Sequence, residues 1–553
     1  MILNLAVVFF LVVALLIAPI AVDQINMDDI VLLANVGWRG VNGYAPVIDY
    51  PHFYGGFAEF FVIAAFRMFG VSYKTIDYAF VMLFTVSALI IWFLCWKRLR
   101  KVEISLLTAI AAALTLSLNP LEAYQNFTPG HSFVYNHVGI VLMLALAVFA
   151  CRALKDRRLE LVSALVAGGV LYALVLLKTT FGTFGLSLIL ACLLQRRWGS
   201  AGLVLVGATV VMLLLDPAME RALGSLKVLL TSTAAADAGG LNGRMFIASL
   251  MMQTQAVPIA ILLILTIVLW RRQRSDSLQL IASLLICGAG YSAAMLSTGG
   301  SPQHKLLPFL IVAALLLCKE LTRAGAANTS RARDAAFNAI PTILAYLLIL
   351  PAVATSAIAL SQSFKHPIAS LVEQGPLARY VVFDPVKPDR AGPASERLAA
   401  ATAITLRRVA VGEISGREEY VMLADGMALL RKVNNVSAFG IVSNGRMFDF
   451  SAPLKARAVK SYPVWPTAAS RELMTREPLE ADVDMVMMLE DIPQLDLVSG
   501  ALRARMGQDF RPCLRSAFWT LFVRRGITNT SCVPIAAQHG AVVRPSPAIG
   551  LTD

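Results

Sequence analysis

The sequence predicts a polytopic α-helical membrane protein that carries a soluble C-terminal domain of α/β or α+β character. Three observations predict it. The 553 residues are 57% apolar and only 15% charged, with a mean hydropathy of +0.68, where a soluble globular chain has about a quarter charged residues. Apolar runs approaching the roughly 20 residues that cross a bilayer as a helix recur up to residue 361. Beyond residue 361 these runs stop and charged residues, Pro and Gly take their place.

Eleven spans are expected, near 2–22, 77–96, 103–119, 136–153, 160–178, 181–195, 200–216, 245–270, 277–297, 305–319 and 338–361. Helices are required because an unpaired backbone group in lipid costs several kcal/mol. The first run has no basic residue ahead of it and is longer than a usual signal-peptide core, so a retained helix is expected, with a cleaved signal as the alternative. Basic clusters follow the second, fourth, sixth, eighth and tenth spans: Lys97 to Lys101, Arg152 to Arg158, Arg196 and Arg197, Arg271 to Arg274, and Lys319 to Arg333. All five fall on one side of the membrane, which the positive-inside rule makes cytoplasmic. The amino terminus is then inside and the tail outside. The net charge of +13 belongs to these loops. There is no basic stripe with interleaved aromatics of the kind that binds nucleic acid.

The tail, residues 362–553, has the length of one domain. "RYVVFDP", "VSAFGIVSNG", "DVDMVMMLED" and "FWTLFVRRG" read as strands and "EYVMLADGMALLRKV" as a helix. Five cysteines (Cys95, Cys151, Cys192, Cys287, Cys318) fall in or beside spans as small core residues. Cys513 and Cys532 lie in the tail, where an exported compartment permits a bridge between them. No Cys/His spacing of a structural metal site occurs.

Polar residues gather at the outer ends of the spans. The first outer loop, residues 23–76, opens with Asp28 and Asp29 and contains Tyr50, His52 and Glu59. Around its Gly- and Pro-containing middle, "DDIVLLANVGWRG" and "GFAEFFVIAAFRMFG" read as helices in the outer interface, the second with Phe57, Phe60, Phe61, Ala64 and Met68 at helical spacing. Later outer loops bring Glu122, His131 and His137, then Lys178, Arg244, His304 and Lys305. Ionisable groups at membrane depth are costly and usually face a cavity or each other, so a polar cavity open to the outside is expected. Each residue also has a simpler account. Asp29 completes a capping pair with Asn26, Glu122 is a helix-start acid after Pro120, the lysines snorkel to headgroups, and the histidines are satisfied polar residues.

"MDDIVLLANVGWRGVNGYAPVIDYPHFYGGFAEFFVIAAFRMFGVS" resembles the first outer loop of GT-C glycosyltransferases. The types it resembles are the lipid A aminoarabinose transferase, the protein O-mannosyltransferases and their rhizobial lipopolysaccharide relatives. Asp28 falls on the family's Asp, and Asp29 replaces its Glu. "YPHFYGGF" stands at the Pro-aromatic segment and "RMFGVS" at the closing turn. "NFTPGHSFVYNH", "LLKTTFG" and "HKLLPFL" resemble later family stretches, with Gly130 and His131 where an acid is usual. The resemblance covers roughly residues 1–320 and does not extend to the tail.

The resemblance implies a polyprenyl-phosphate-linked sugar donor, a cell-envelope acceptor (lipid, glycan or protein), the bilayer as partner, and residence in a bacterial inner membrane with the tail periplasmic. Asp28, with Asp29 next, is expected to take the acceptor proton. Lys178, Lys305 and Arg244 are expected to neutralise the leaving phosphate, while Tyr50, His52, Glu122 and His131 orient the substrates. Direct displacement inverts the anomeric centre. Some relatives use a divalent metal beside the acid, and this sequence requires none. The rival readings are a transporter or flippase, an O-antigen polymerase or ligase, and a non-catalytic GT-C-like protein that binds a lipid-linked glycan. No internal repeat favours the transporter.

Overall fold

The computed structural model of the chain describes residues 1–17, 33, 36–38, 40–41, 43, 56–71, 73–117, 134–224, 226, 253–271, 275–296, 306–325, 331–365, 368–369, 382–383, 402–403, 405–407, 416–430, 432, 438–443, 458–463, 484–489 and 509–526. The chain divides into two compact units. One is Met1–Ser370 with Leu377–Pro388, and the other is Leu371–Pro376 with Asp389–Asp553.

The first unit is helical. Its helices are α1 (Ile2–Ile17), α2 (Phe57–Phe69), α3 (Tyr73–Cys95), α4 (Lys101–Thr115), α5 (Val134–Cys151) and α6 (Arg157–Leu177). They continue with α7 (Thr183–Leu194), α8 (Trp198–Leu215), α9 (Gln253–Trp270), α10 (Ser275–Leu296), α11 (Leu307–Gly325) and α12 (Arg331–Lys365). A helix occupies each of the eleven predicted spans, and α2 lies in the first outer loop. Among the described residues, five segments are long and apolar enough to cross a membrane: Lys74–Cys95, Arg157–Leu177, Trp198–Leu215, Asp276–Met295 and Ala339–Ile358. These apolar helices make the chain an integral membrane protein. Other predicted spans are shorter as helices or, like α11 with Lys319, Glu320 and Arg323, end in charge. The last helix is longer than its span, 35 residues with Pro341 and Pro351 inside it.

Helix α5 is the core. From Asn136 to Cys151 every residue is buried, as suits a helix apolar on all sides. Helices α6 and α8 cross at glycines. A Cβ on Gly168 would stand 2.1 Å from the Val204 carbonyl oxygen, and one on Gly207 2.1 Å from that of Leu165. Such close backbone approach is how helices associate in lipid, where apolar burial gives no drive. The far face of α8 presents Leu205, Val210, Leu213 and Leu214 outward.

The basic residues read as loop charges meet at one end of this bundle. Asp156 caps α6 by accepting from the amides of Arg158 and Leu159 at 3.1 and 3.2 Å, which sets Glu160 in its first turn. Glu160 accepts from Arg98 at 2.5 Å, from Arg197, from Ser200 Oγ at 3.1 Å and from the Leu154 amide at 3.0 Å. Both guanidiniums lie on the Phe149 ring, 5.0 and 4.8 Å from its centroid. Nearby, Lys319 Nζ donates to Glu103 at 3.0 Å and to the Arg98 carbonyl at 3.2 Å. Arg98, Arg152, Arg197 and Lys319 thus share one end, as alternate threading of the spans requires. They form a buried network there, however, instead of a solvated fringe.

A second polar join links distant helices. Asn4 donates to Ser105 Oγ at 3.0 Å and accepts from the Tyr346 hydroxyl at 2.9 Å, tying α1 to α4 and α12. At the other end of α1, Lys74 Nζ donates to the Leu15 carbonyl at 2.8 Å and to Asp77 at 2.6 Å. Between α2 and α3 the turn rests on Gly70, whose φ of +85° favours glycine. Its carbonyl accepts from Thr75 Oγ1 at 2.8 Å.

The described strands begin with an antiparallel pair in the first unit, β1 (Ile368–Ala369) and β2 (Val382–Phe383), so "RYVVFDP" pairs there and not in the main sheet. The second unit holds helix α13 (Gly416–Leu430) and strands β3 (Ala438–Ser443), β4 (Ala458–Pro463), β5 (Met485–Leu489), β6 (Phe510–Arg515) and β7 (Trp519–Arg524). The sheet order is β4-β3-β5-β7-β6. The first three strands are parallel, and β7 runs antiparallel to both its neighbours. β5 is buried throughout, which explains its uninterrupted apolar run. The edge strands β4 and β6 escape sequence reading because Lys460, Arg511 and Pro512 break the alternation, and Pro is tolerated at an edge. Trp519 Nε1 donates to the Met422 carbonyl at 2.7 Å, joining α13 to the sheet. Asp425 of α13 accepts from Ser516 Oγ at 2.6 Å and from the Phe518 amide at 3.1 Å, holding the β6–β7 turn. Cys513 in β6 is disulfide-bonded, and Cys532 lies outside the described residues.

Candidate functional site

Of the side chains expected to carry chemistry, the structure places Lys178. Asp28, Asp29, Tyr50, His52, Glu122, His131, Arg244 and Lys305 lie outside the described residues.

Lys178 ends α6, where its extended backbone leads into a short 3-10 turn, Thr179–Gly182, before α7 begins. Phe181 donates its amide to the Lys178 carbonyl at 2.8 Å. The ring of Phe181 then presses on α5 at Gly139, where a Cβ would come within 2.2 Å of it. The aromatic wedge therefore seats the turn against the central helix. Lys178 is 8% exposed, with its ammonium 6.0 Å from the Phe181 centroid. A lysine that only snorkelled to headgroups would keep its head in water. This one does not.

Beside it, the hydroxyls of Thr179 and Thr180 are buried and make no hydrogen bond among the described residues. The same holds for the side-chain oxygen of Asn136, one turn before Gly139 on α5. Buried polar atoms of this kind are rare and mark a strained, catalytic or solvent-filled place. His137, also buried, adjoins Asn136. An ammonium followed in sequence by two buried hydroxyls offers donors to an oxyanion, and the site stands at the end of the bundle opposite the arginine network.

A neighbouring cation was not singled out in the sequence. Asp216 ends α8 and is buried. It accepts from the Tyr172 hydroxyl of α6 at 3.0 Å and from the amides of Arg221 and Ala222 at 3.1 and 3.0 Å. The Arg221 guanidinium lies 4.9 Å above the Phe60 ring of α2, and its buried Nη1 has no hydrogen-bond partner among the described residues. The only sequence signal was a basic residue five places beyond a span-ending acid.

On helix α2, Phe57, Phe60, Phe61 and Ala64 are half-buried and Met68 is exposed. The inward face is Ala58, Glu59, Val62, Ala65 and Phe66. The helix meets the stretch before it at two glycines: a Cβ on Gly37 would meet Val62 at 2.7 Å, and one on Gly40 would meet Ile63 at 2.2 Å. Arg67 also donates to the Gly40 carbonyl at 3.2 Å. No group of three His, Cys, Asp or Glu side chains suited to a metal occurs among the described residues.

No family model and no curated protein matches the chain. Among solved structures, the Archaeoglobus fulgidus oligosaccharyltransferase in complex with zinc and sulfate aligns over 94% of this chain and 72% of its own, at 13% identity and a TM-score of 0.40. ArnT from Cupriavidus metallidurans bound to undecaprenyl phosphate aligns over 96% and 99%, at 12% identity and a TM-score of 0.38. Superpositions this loose carry no residue correspondence.

Proposed function

We propose that this chain is a GT-C-type glycosyltransferase of a bacterial inner membrane. In this reading it moves a sugar from a polyprenyl-phosphate donor to an acceptor hydroxyl at the outer face. The observation that carries the proposal is the buried Lys178 followed by the hydroxyls of Thr179 and Thr180, which bond nothing among the described residues, at the end of the bundle where the GT-C-like first loop emerges.

The acceptor oxygen attacks the anomeric carbon, the bond from that carbon to the phosphate oxygen breaks, and the phosphate leaves with both electrons. Asp28 takes the acceptor proton, with Asp29 as its neighbour. Lys178 meets the negative charge that grows on the phosphate, and the two threonine hydroxyls donate to its oxygens. A cation acting only as that charge develops lowers the barrier and not merely the donor's binding energy. Arg221, whose amide is held by Asp216 and whose guanidinium lies over Phe60 of α2, joins Arg244 and Lys305 as a further cation. The donor's isoprenoid tail remains in lipid while its phosphate sits at the interface.

Reconstituted full-length protein supplied with labelled polyprenyl-phosphate sugars tests the reading. Label appearing on a new molecule, and lost in Asp28→Asn with the chain still folded, is the expected result. Label that crosses the bilayer while still attached to its carrier would instead establish a flippase and overturn the proposal.

A further inference from the structure

Lys178 and Arg221 take their positions from the same helix. Lys178 ends α6, and the buried Tyr172 stands about 9 Å back from it along the helix axis. The crossing at Gly168 and Gly207 carries α8 past α6, so that Asp216, at the end of α8, meets Tyr172. Asp216 is buried. Among the described residues its carboxylate accepts from one hydroxyl and two amides and from no cationic side chain. Oδ2 takes the Tyr172 hydroxyl at 3.0 Å and the Ala222 amide at 3.0 Å, and Oδ1 takes the Arg221 amide at 3.1 Å. The chain between is turned sharply. Met219 donates its amide to the Asp216 carbonyl at 2.9 Å and holds a left-handed φ of 56°, uncommon for a residue with a side chain. These bonds fix where Arg221 leaves the backbone.

Simpler roles for Asp216 do not account for this pattern. A counter-ion would take the guanidinium itself, because a charge-assisted fork is the stronger bond. A helix cap reaches amides two or three positions on, whereas these lie five and six positions on, and a cap has no use for a buried phenol from another helix. Asp216 instead spends its bonds on the backbone of Arg221 and leaves the guanidinium to Phe60, 4.9 Å away, with the buried Nη1 unbonded among the described residues. A guanidinium over an aromatic ring keeps its planar fork of donors for an anion. We propose, resting on the sugar-transfer reading, that Tyr172 and Asp216 are positioning residues for Arg221. They lock it to the helix that also presents Lys178, so the two cations reach the donor's phosphate with a set spacing.

The test is a double-mutant cycle on the full-length protein. Binding of polyprenyl phosphate, by native mass spectrometry, and transfer of labelled sugar are followed in the wild type, Tyr172→Phe, Arg221→Ala and the double variant. Tyr172→Phe keeps the buried ring and removes only the hydroxyl, so the bundle stays packed. It should weaken binding about fivefold, the worth of one hydrogen bond, and Arg221→Ala should weaken it about tenfold, the loss of one charge-assisted contact. In the Arg221→Ala background Tyr172→Phe should change nothing further, because no side chain is left to position. An equal loss in both backgrounds makes the hydroxyl merely structural and overturns the proposal. Wild-type binding by Arg221→Ala also overturns it, and leaves the sugar-transfer reading standing on Lys178. A wild type that binds the lipid but moves no sugar overturns that reading alone, since the cycle is still read from binding. A wild type that binds no polyprenyl phosphate overturns both.

Discussion

At the scale of single residues, Lys178 is the test of the outer site. The motif "LLKTTFG" made the lysine visible in the sequence, but not its burial, because burial depends on Phe181 docking at Gly139, 42 positions earlier. Thr179 and Thr180 passed as ordinary loop hydroxyls for the same reason. Their roles separate cleanly from stability. Lys178→Ala should lower kcat/KM for the lipid-linked donor by about 10²-fold, the usual loss for one preorganised donor to a developing anion. Thr180→Val removes a hydroxyl that bonds no described protein group, so it should reduce transfer while leaving the melting temperature unchanged or slightly raised. Steady-state kinetics beside thermal unfolding checks both. A melting temperature that falls in step with activity would make the hydroxyl structural.

At the scale of elements, the helices themselves were legible, since apolar length alone locates them. Their contacts were not. Glu160 lies 62 positions from Arg98 and 37 from Arg197, and no local pattern announces such partners. The basic residues that mark topology share one end of the bundle, yet Arg98 and Arg197 also work through Glu160 as a clasp between α3, α6 and α8. Glu160→Gln would leave two guanidiniums stacked on Phe149 without a counter-charge, at a cost of about 3–5 kcal/mol. A lowered unfolding midpoint in detergent measures it. The crossing of α6 and α8 is as sensitive. Gly207→Ala puts a methyl carbon into the Leu165 carbonyl and should destabilise by about 1–3 kcal/mol, seen as a lower melting temperature. Gly202→Ala on the same helix, where a Cβ meets nothing within 4 Å, should be neutral.

At the scale of the whole molecule, the two units obey different rules. The helical unit satisfies its backbone internally and was readable from hydropathy. The second unit depends on strand pairing across long separations, so its central strands were legible and its edges were not. Its pH response turns on Asp425. Burial pushes this carboxyl above its ordinary 3.8, and bonds from Ser516 and the Phe518 amide pull it only part of the way back. A folded value above the unfolded one means that protonation favours the folded form. The added stability is complete below pH 3.8 and is lost as pH rises through the raised folded value. Hydrogen exchange of 519–524 in the full chain should therefore slow as pH is lowered towards that range, after correction for intrinsic rates. Asp425→Asn, which keeps an acceptor for the amide, should flatten that dependence.

The join of Asn4 to Ser105 and Tyr346 has a consequence for biogenesis. A ribosome delivers the amide-bearing end of α1 more than three hundred residues before it delivers the phenol that completes its bonding. Until α12 enters the bilayer, Asn4 has at best one permanent companion, and the carbonyl of its amide must borrow water or a transient escort. A helix made early is thus among the last to settle, and nascent chains halted before residue 346 should linger with whatever insertase shelters polar side chains from lipid.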